Sequence, residues 1–366
     1  MPRGYSADSF GGRPFLTRRS LLRVGALSPL IIPGRSLARV GGAPAVVTGP
    51  CGSPTPVFTS NATEIIGPGC YALQNDITDI PALSTMGGLT ILGNGHSVTP
   101  PPGNFFKIGF GLNAFVHTIR DLTVTADGIE INGNVSTTQT SPCVYLYNVT
   151  MNATGAGGTG SVGSLVHMSG SNIVLEKCAI NTWASGGTTG YDDGVILSPF
   201  SGVGNVPASY VTFDTVTFGP NWDVAIEGFS TQGTAVSPHW NHVTIKNCVT
   251  TFSPFSVAGA DFGGYYGGPN SGDLTFTFQN GVFTGNTLKT GGWFFANAAH
   301  TNYDRADSDA AANGLWAATG NAFGANTYLA LTREQCEARA KLWAANRRNP
   351  PPGPPPEVWN EKIICP

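Results

Sequence analysis

The stretch Val144-Tyr-Leu-Tyr-Asn148-Val-Thr-Met151 decides the fold, and Ile173-Val-Leu-Glu-Lys177-Cys-Ala-Ile180 is a second copy of it. In both copies, apolar residues stand four and two positions before the central residue and one and three positions after it. A strand alternates its faces with period two, so this change of parity requires the chain to bend at the centre. After Gly, Asn best tolerates the positive φ of such a bend. The pattern therefore predicts two short strands that meet at a corner and share one apolar side.

The same pattern recurs at intervals of 27 to 41 residues. Its central positions are Asn94, Asp121, Asn148, Lys177, Thr215, Asn247, Asn280 and Asn321. Repeats of this length are typical of solenoids, in which each unit stacks on its neighbours to bury a continuous core. A third strand in each repeat is predicted at 128–131, 165–168, 194–197, 224–227, 256–258 and 292–295. The sequence thus predicts an all-β, single-stranded, right-handed parallel β-helix of about eight or more turns.

Composition excludes two classes of protein. Of the 366 residues, 41% are hydrophobic and 11% are charged, with a formal net charge of -3. This hydrophobic content excludes a disordered chain, and the sequence has no basic patch of the kind that binds nucleic acid. The 49 glycines favour a turn-rich β protein.

The amino end is typical of an export signal. Thr17-Arg-Arg-Ser-Leu-Leu-Arg23 resembles the twin-arginine motif and precedes an apolar run too short to span a membrane. A disordered basic tail is the alternative. We expect an export signal at 1–45, a β-helix with an N-terminal cap at 46–328, and a helical, proline-rich tail at 329–366 packed on the last turn. The mature protein is then periplasmic or extracellular, without a membrane-spanning segment.

Seven cysteines suit an oxidising compartment. Cys51 with Cys70, and Cys336 with Cys365, are placed to close local loops, and the sequence leaves open whether either disulfide forms. Cys178 and Cys248 each directly follow a corner, and these two corners are two turns apart. Strand spacing then separates the two residues by roughly 9.6 Å, which is too far for a disulfide. We therefore predict that Cys178 and Cys248 are buried free thiols, and we expect Cys143 to be free as well.

The repeats resemble those of a known superfamily. The entry sequence Gly69-Cys-Tyr-Ala-Leu73, the turn Gly93-Asn-Gly-His96 and the repeated corner units are similar to the pectin-lyase-like β-helix proteins, over about residues 65–328. Tyr191-Asp192-Asp193-Gly194 and the later Asp223 resemble the polygalacturonase-type glycoside hydrolases, which carry Asn-Thr-Asp-Gly and then Asp-Asp on successive turns. This resemblance implies that Asp192 or Asp193 acts with Asp223 as general acid and base.

The residues themselves point to the same chemistry. Aligning the third strands places Asp193 and Asp223 in one column about 4.8 Å apart, with Asp261 just above. Two stacked carboxylates raise each other's proton affinity, as an acid/base pair requires. Glu227 is a fourth catalytic candidate if Val224 and Ile226 face the core. The alternative is that these aspartates only form turns before strands.

Long loops are predicted beside the third strands of the later repeats, at 198–209, 229–241, 259–272 and 296–313, where they would wall a groove. Candidate substrate-binding residues on these strands and loops are Trp222, Tyr265, Tyr266, Asp261, His300 and Arg305. We expect an exported glycoside hydrolase that binds a polysaccharide or oligosaccharide and needs no metal or cofactor. A Ca²⁺-dependent polysaccharide lyase with Arg305 as base, and a non-catalytic adhesion protein, are the alternatives. The sequence leaves the oligomeric state open.

Overall fold

The structure is a computed structural model of the chain. It describes residues 51–57, 68–78, 82–83, 88–101, 106–109, 116–136, 138–139, 142–154, 164–182, 193–198, 208–219, 224–230, 239–251, 258–265, 277–289, 293–297, 302–306, 320–328 and 334. Every secondary-structure element with described bounds is a β-strand. In chain order the strands are β1 (Thr55–Val57), β2 (Gly69–Leu73), β3 (Ile77–Thr78), β4 (Ala82–Leu83), β5 (Leu89–Leu92), β6 (Ser97–Thr99), β7 (Phe106–Ile108), β8 (His117–Ala126), β9 (Ile129–Asn132), β10 (Val144–Ala153), β11 (Ser164–Ser169), β12 (Ile173–Glu176), β13 (Ala179–Asn181), β14 (Asp193–Ser198), β15 (Ala208–Ser209), β16 (Val211–Asp214), β17 (Thr217–Phe218), β18 (Val224–Ser230), β19 (His239–Asn241), β20 (Thr244–Lys246), β21 (Val249–Thr250), β22 (Ala258–Tyr265), β23 (Thr277–Gln279), β24 (Val282–Thr284), β25 (Thr287–Leu288), β26 (Trp293–Asn297), β27 (Asn302–Ala306), β28 (Ala322–Gly324) and β29 (Thr327–Tyr328).

The strands form two large sheets. The first sheet has 17 strands, paired in parallel, and each pass of the chain through it is either one bent strand, such as β10, or two short strands, such as β12 and β13. The second sheet has nine strands in the order β4, β7, β9, β11, β14, β18, β22, β26, β27, and only its last pairing, β26 with β27, is antiparallel. Strands β15, β19 and β23 form a small third sheet. Successive passes through the sheets stack in parallel, which is consistent with a parallel β-solenoid.

The corner predicted from the opening stretch is confirmed. Leu146 is level with Leu175, and Met151 is level with Ile180, so the two copies stack in register. Six predicted central residues adopt φ of 54–57°, namely Asn94, Asp121, Asn148, Lys177, Thr215 and Asn247. The alternation therefore predicted both the bend and the register.

The last two predicted corners are wrong. Strand pairing aligns Asn247 with Gly285 and Ala325, and these two residues have the positive φ. Asn280 also has a positive φ, but it follows β23 and belongs to an earlier corner that it shares with His242. Asn321 is not among the positive-φ residues. Asn280 was assigned to this series because Phe278 of β23 stands two positions before it. That is the same apolar spacing as at the predicted corners.

The core lies between the sheets. Leu146, Leu175 and Phe213 form one fully buried row of the first sheet, and Val166 and Val195 are buried from the second. All belong to one hydrophobic cluster. Fully burying such a side chain contributes about 1.5–3 kcal/mol, so the rows of stacked aliphatic residues are the main source of stability.

Five of the six predicted third strands are confirmed, as β9, β11, β14, β18 and β26, with bounds within two residues except that β18 continues three residues further, to Ser230. The sixth is displaced, because β22 runs from Ala258 to Tyr265 instead of ending at 258. All four predicted loops contain strand: the loop at 198–209 includes β15, the loop at 229–241 includes β19, the loop at 259–272 includes most of β22, and the loop at 296–313 includes β27. Glycines 259, 263 and 264 signalled a loop by composition, but pairing with β18 supplies backbone hydrogen-bond partners for the segment.

The five described cysteines agree with what the sequence indicates about disulfides and free thiols. Cys51 and Cys70 form a disulfide, while the other three described cysteines are buried free thiols. Burial raises the pKa of Cys143 to about 11 and those of Cys178 and Cys248 to about 12, so all three remain protonated at neutral pH. The predicted export signal, Cys336 and Cys365 lie outside the described residues, as does the predicted tail apart from Glu334. Within the described residues, no helix is long and apolar enough to cross a membrane.

Candidate functional site

One row of level residues crosses the second sheet, and we call it the second-sheet row. Register pairing aligns Lys107, Glu130, His167, Ile196, Glu227 and Asp261, with Phe294 and Arg305 continuing the row. The strand neighbours of the row, such as Ile131, Met168 and Ile226, are buried in the core. Because strand side chains alternate between faces, Glu130, His167 and Glu227, which are half-buried, lie on the outer face.

Two acidic residues are adjacent in this row. Glu227 of β18 is level with Asp261 of β22 in a parallel pairing, which sets their backbones about 4.8 Å apart. On its other side Glu227 is level with Ile196, an almost fully buried aliphatic side chain. The register of β18 against β22 shifts between Gly228 and Phe229, one residue after Glu227. Such irregularities are over-represented next to active sites, because they re-aim side chains.

The other end of the row holds an ion pair. Lys107 Nζ lies 2.9 Å from Glu130 Oε2. The next residue, His167, has its Nε2 at 3.0 Å from the carbonyl oxygen of Ser164. A carbonyl only accepts hydrogen bonds, so Nε2 carries the proton and Nδ1 is the basic atom. Burial lowers the pKa of His167 and the Glu130 carboxylate opposes this shift only in part, so the ring is neutral at neutral pH.

The structure places Asp193 differently from the sequence prediction. Asp193 is only 4% exposed, is level with Ser164, and accepts a hydrogen bond of 3.3 Å from its hydroxyl. Val195 is level with Ile226, and the same register sets Asp193 level with Val224. The predicted alignment of Asp193 with Asp223 was therefore wrong by one residue. A slip of one residue exchanges the faces of a strand. Asp193 therefore faces the buried side together with Val195.

The remaining predicted residues are only partly placed. Asp192, Asp223, Trp222, Tyr266 and His300 lie outside the described residues, and their roles stay predictions. Tyr265 ends β22 level with Ser230, and Arg305 is level with Phe294 across the antiparallel pair. The structure thus brings Glu227 and Asp261 together and places Arg305 two strands beyond Asp261 in the same row.

Sequence reasoning did not single out Lys107, Glu130 or His167. The available signal was a polar residue between two apolar ones in a predicted third strand, as in Ile129-Glu130-Ile131 and Val166-His167-Met168. Glu227 is preceded by Ile226 in the same way. Reading that position in every predicted third strand would have found Glu130, His167 and Glu227, but not Lys107 or Asp261, which lie outside the predicted strands.

A metal site is not evident in the part of the chain that the structure describes, where no group of three or more His, Cys, Asp or Glu residues is arranged to hold an ion. Comparisons of the chain with protein-family models, with curated proteins and with solved structures gave no significant match. The functional argument therefore depends on the second-sheet row.

Proposed function

We propose that the protein is an exported glycoside hydrolase built on a right-handed β-helix of the pectin-lyase-like type, with about eight turns and a twin-arginine signal. Its acid/base pair is Glu227 and Asp261. The observation that carries the proposal is the level position of these two residues on adjacent parallel strands of one sheet.

Hydrolysis of a glycosidic bond needs two carboxyl groups with different tasks. One is protonated and gives its proton to the leaving oxygen, and the other acts as nucleophile or activates water. The two mechanisms use carboxyl separations between about 5 and 9.5 Å. Level residues on strands about 4.8 Å apart can provide such a separation. Two carboxylates this close disfavour each other's ionisation, so one of them holds a proton at a higher pH than an isolated group would.

The surroundings support Glu227 over Asp193, the described member of the aspartates predicted first. Asp193 is buried and hydrogen-bonded to Ser164, which suits a structural role. Glu227 is half-buried beside Ile196 and precedes the strand irregularity. Trp222, Tyr265 and Tyr266, which are at or near the ends of β18 and β22 in sequence, are proposed to stack on sugar rings.

A Ca²⁺-dependent polysaccharide lyase is the second candidate. The position of Arg305 favours it, since Arg305 continues the row beyond Phe294 and would be the base that abstracts the proton. The acidic pair would then hold the ion, because Ca²⁺ takes carboxylate oxygens.

Incubation of the purified protein with a polysaccharide panel, with and without a chelator, tests the proposal. We expect new reducing ends, unaffected by chelator, and their loss in E227Q. Products that absorb as unsaturated uronides and disappear with chelator would establish the lyase instead. No product from any glycan would favour a non-catalytic adhesion protein.

A further inference from the structure

The first sheet begins at β1, a strand of three residues that covers the edge of β2. Residues 55–57 of β1 are level with residues 71–73 of β2 in a parallel pairing. Register pairing joins β1 to β2 alone among the strands that the structure describes. A strand at the edge of a sheet is a template for pairing with another chain, and proteins protect such edges. The way in which β1 ends the sheet therefore bears on self-association.

The middle residue of β1 removes the hydrogen-bond donor from its outer edge. The N–H of Gln74 donates to the carbonyl oxygen of Val57 at 3.0 Å, so the peptide groups of Val57 face β2. Peptide groups of successive residues in a strand point to opposite edges, so those of Pro56 face away from β2. Proline has no N–H, so this position offers a carbonyl but no donor to a further strand. β1 therefore closes the sheet against strand addition.

The edge of β2 under β1 has no such protection. The N–H of Gln74 points towards β1, and so do the peptide groups of Ala72 and Cys70, two and four positions earlier. The N–H of Gly69 points the other way and donates to Gly88 at 2.9 Å. β2 contains neither proline nor a charged residue, the two devices that usually keep an edge from pairing. Without β1, this edge would offer both donors and acceptors to another strand.

A disulfide holds β1 in place, since the strand itself buries little. Thr55 and Pro56 are exposed, and Val57, which is 1% exposed, is the side chain of β1 that joins the core. The disulfide between Cys51 and Cys70 ties the segment before β1 to β2 itself, over a sequence separation of 19. Such a crosslink stabilises the closed arrangement by restricting the freedom of the open chain. The position of β1 therefore depends on this bond.

We propose that this disulfide is a redox-sensitive latch that holds β1 over the edge of β2, and that opening it lets two copies of the chain pair through that edge. A dithiol reductant opens the latch: it supplies two electrons and two protons, leaves Cys51 and Cys70 as thiols, and becomes a disulfide itself. The two β2 strands then pair antiparallel about a twofold axis, as identical surfaces do in a symmetric dimer. Because both copies use the same edge, the association stops at two.

Analytical ultracentrifugation tests the latch on three samples: the oxidised protein, the protein in dithiothreitol, and the oxidised double variant Cys51→Ser with Cys70→Ser. The double variant confines the change to this one disulfide. We expect an about twofold rise in molar mass over the oxidised protein in both other samples. An unchanged mass in the double variant would overturn the proposal. So would loss of its β-sheet circular dichroism, because the bond would then hold the whole fold and not β1 alone.

A proline placed in the exposed edge separates strand pairing from unspecific aggregation. Gln74→Pro, added to the double variant, removes an outward N–H from β2 as Pro56 does from β1. We expect the dissociation constant of the dimer to rise by about tenfold or more, since each copy loses one hydrogen bond. Gln74→Ala is the matched control, which keeps the N–H and should dimerise like the double variant. Equal dissociation constants for the two variants, or growth beyond two copies, would contradict pairing through β2.

Discussion

Two pairs of level acidic residues lie on different sheets of this protein. Glu176 and Asp214 form the first-sheet pair, on β12 and β16, and Glu227 and Asp261 form the second-sheet pair. Both are a Glu and an Asp on neighbouring parallel strands, so the backbone sets the same spacing in each. The difference between them lies in their neighbours.

Both carboxylates of the first-sheet pair are bound by nearby side chains. The hydroxyl of Tyr145 donates to Glu176 Oε2 at 2.7 Å, and Lys246 Nζ lies 2.9 Å from Asp214 Oδ2. Burial alone would raise the pKa of Asp214, but hydrogen bonds from Lys246, Thr215 and Asn247 outweigh it and lower the pKa. Such a carboxylate stays ionised and is a poor proton carrier.

The second-sheet pair has different neighbours along its row. Ile196 is level with Glu227 on one side, and Phe294 is level with Asp261 on the other. The comparison teaches that stacking alone does not make two carboxylates catalytic, because a solenoid stacks like residues on every face. The residues next to the pair in the row decide its role.

The largest expected effect is on hydrolysis. Glu227→Gln or Asp261→Asn removes a proton carrier from the second-sheet pair, and we expect the rate of glycan cleavage to fall by about 10²- to 10⁴-fold. Glu176→Gln and Asp214→Asn are the matched controls, since they make the same changes in the first-sheet pair. Rates measured on one cleaved glycan check this, and equal losses in both pairs would remove the functional distinction.

Much of this comparison was accessible from sequence. The parity change around Asn148 and Lys177 predicted the corner, because burying apolar residues on both sides of a bend requires positive φ. The third strands followed from the apolar residues of β9, β11, β14 and β18. The position of Glu227 on the outer face followed from the burial of Ile226.

The pairing of Glu227 with Asp261 was not accessible. The strand that carries Asp261 contains three glycines, and composition assigned most of it to a loop. With β22 misplaced, Asp193 and Asp223 were aligned instead, one residue out of register. All six residues of β14 are buried, so both of its faces are covered. Shifting its alignment by one residue therefore exposes no additional hydrophobic residue, and the sequence did not indicate the error.

A second prediction separates acid unfolding from titration of the second-sheet pair. His117 is 1% exposed, its Nδ1 has no hydrogen-bond partner among the residues that the structure describes, and burial lowers its pKa. The folded state therefore binds this proton less readily than the unfolded chain, whose histidine pKa is about 6.5. Stability is complete above that pH and declines as the pH falls towards the folded-state pKa, by at most about 1.4 kcal/mol per pH unit.

His117→Leu removes this dependence, because position 117 is level with Leu89 and Val144 in the core. Urea unfolding of both proteins between pH 7.5 and 5 measures the difference. An equally steep acid loss in the variant would show that His117 is not the responsible group. In the stable variant, acid-dependent changes of activity then report on the catalytic groups.

A smaller effect is expected from the Tyr145 hydroxyl. Tyr145→Phe removes the hydrogen bond to Glu176 and should lower the free energy of unfolding by about 0.5–1.5 kcal/mol, without changing hydrolysis. Urea denaturation and the cleavage rate are the two measurements. A loss of activity at full stability would assign the first-sheet pair a functional role that the comparison denies.

The smallest effect is expected from Lys246. Lys246→Met breaks the ion pair with Asp214 and should lower the free energy of unfolding at pH 7 by about 0.2–1 kcal/mol. Asp214 has a lowered folded-state pKa, so its stabilisation is present above the unfolded pKa of about 3.9 and is lost as the pH falls through the folded value. The difference in stability between wild type and variant should therefore be full at pH 7 and shrink as the pH falls below about 3.9. A difference that does not shrink with falling pH would point to lost packing of the lysine stem.

The central claim is that Glu227 and Asp261 act as one pair, and a double-mutant cycle on the cleavage rate tests it most directly. Groups that work as a unit are strongly non-additive, because removing either one already disables the mechanism. The account predicts that the double variant Glu227→Gln with Asp261→Asn cleaves the glycan about as slowly as the slower single variant. Rate losses that multiply would contradict it, since they would mean that the two carboxylates act independently.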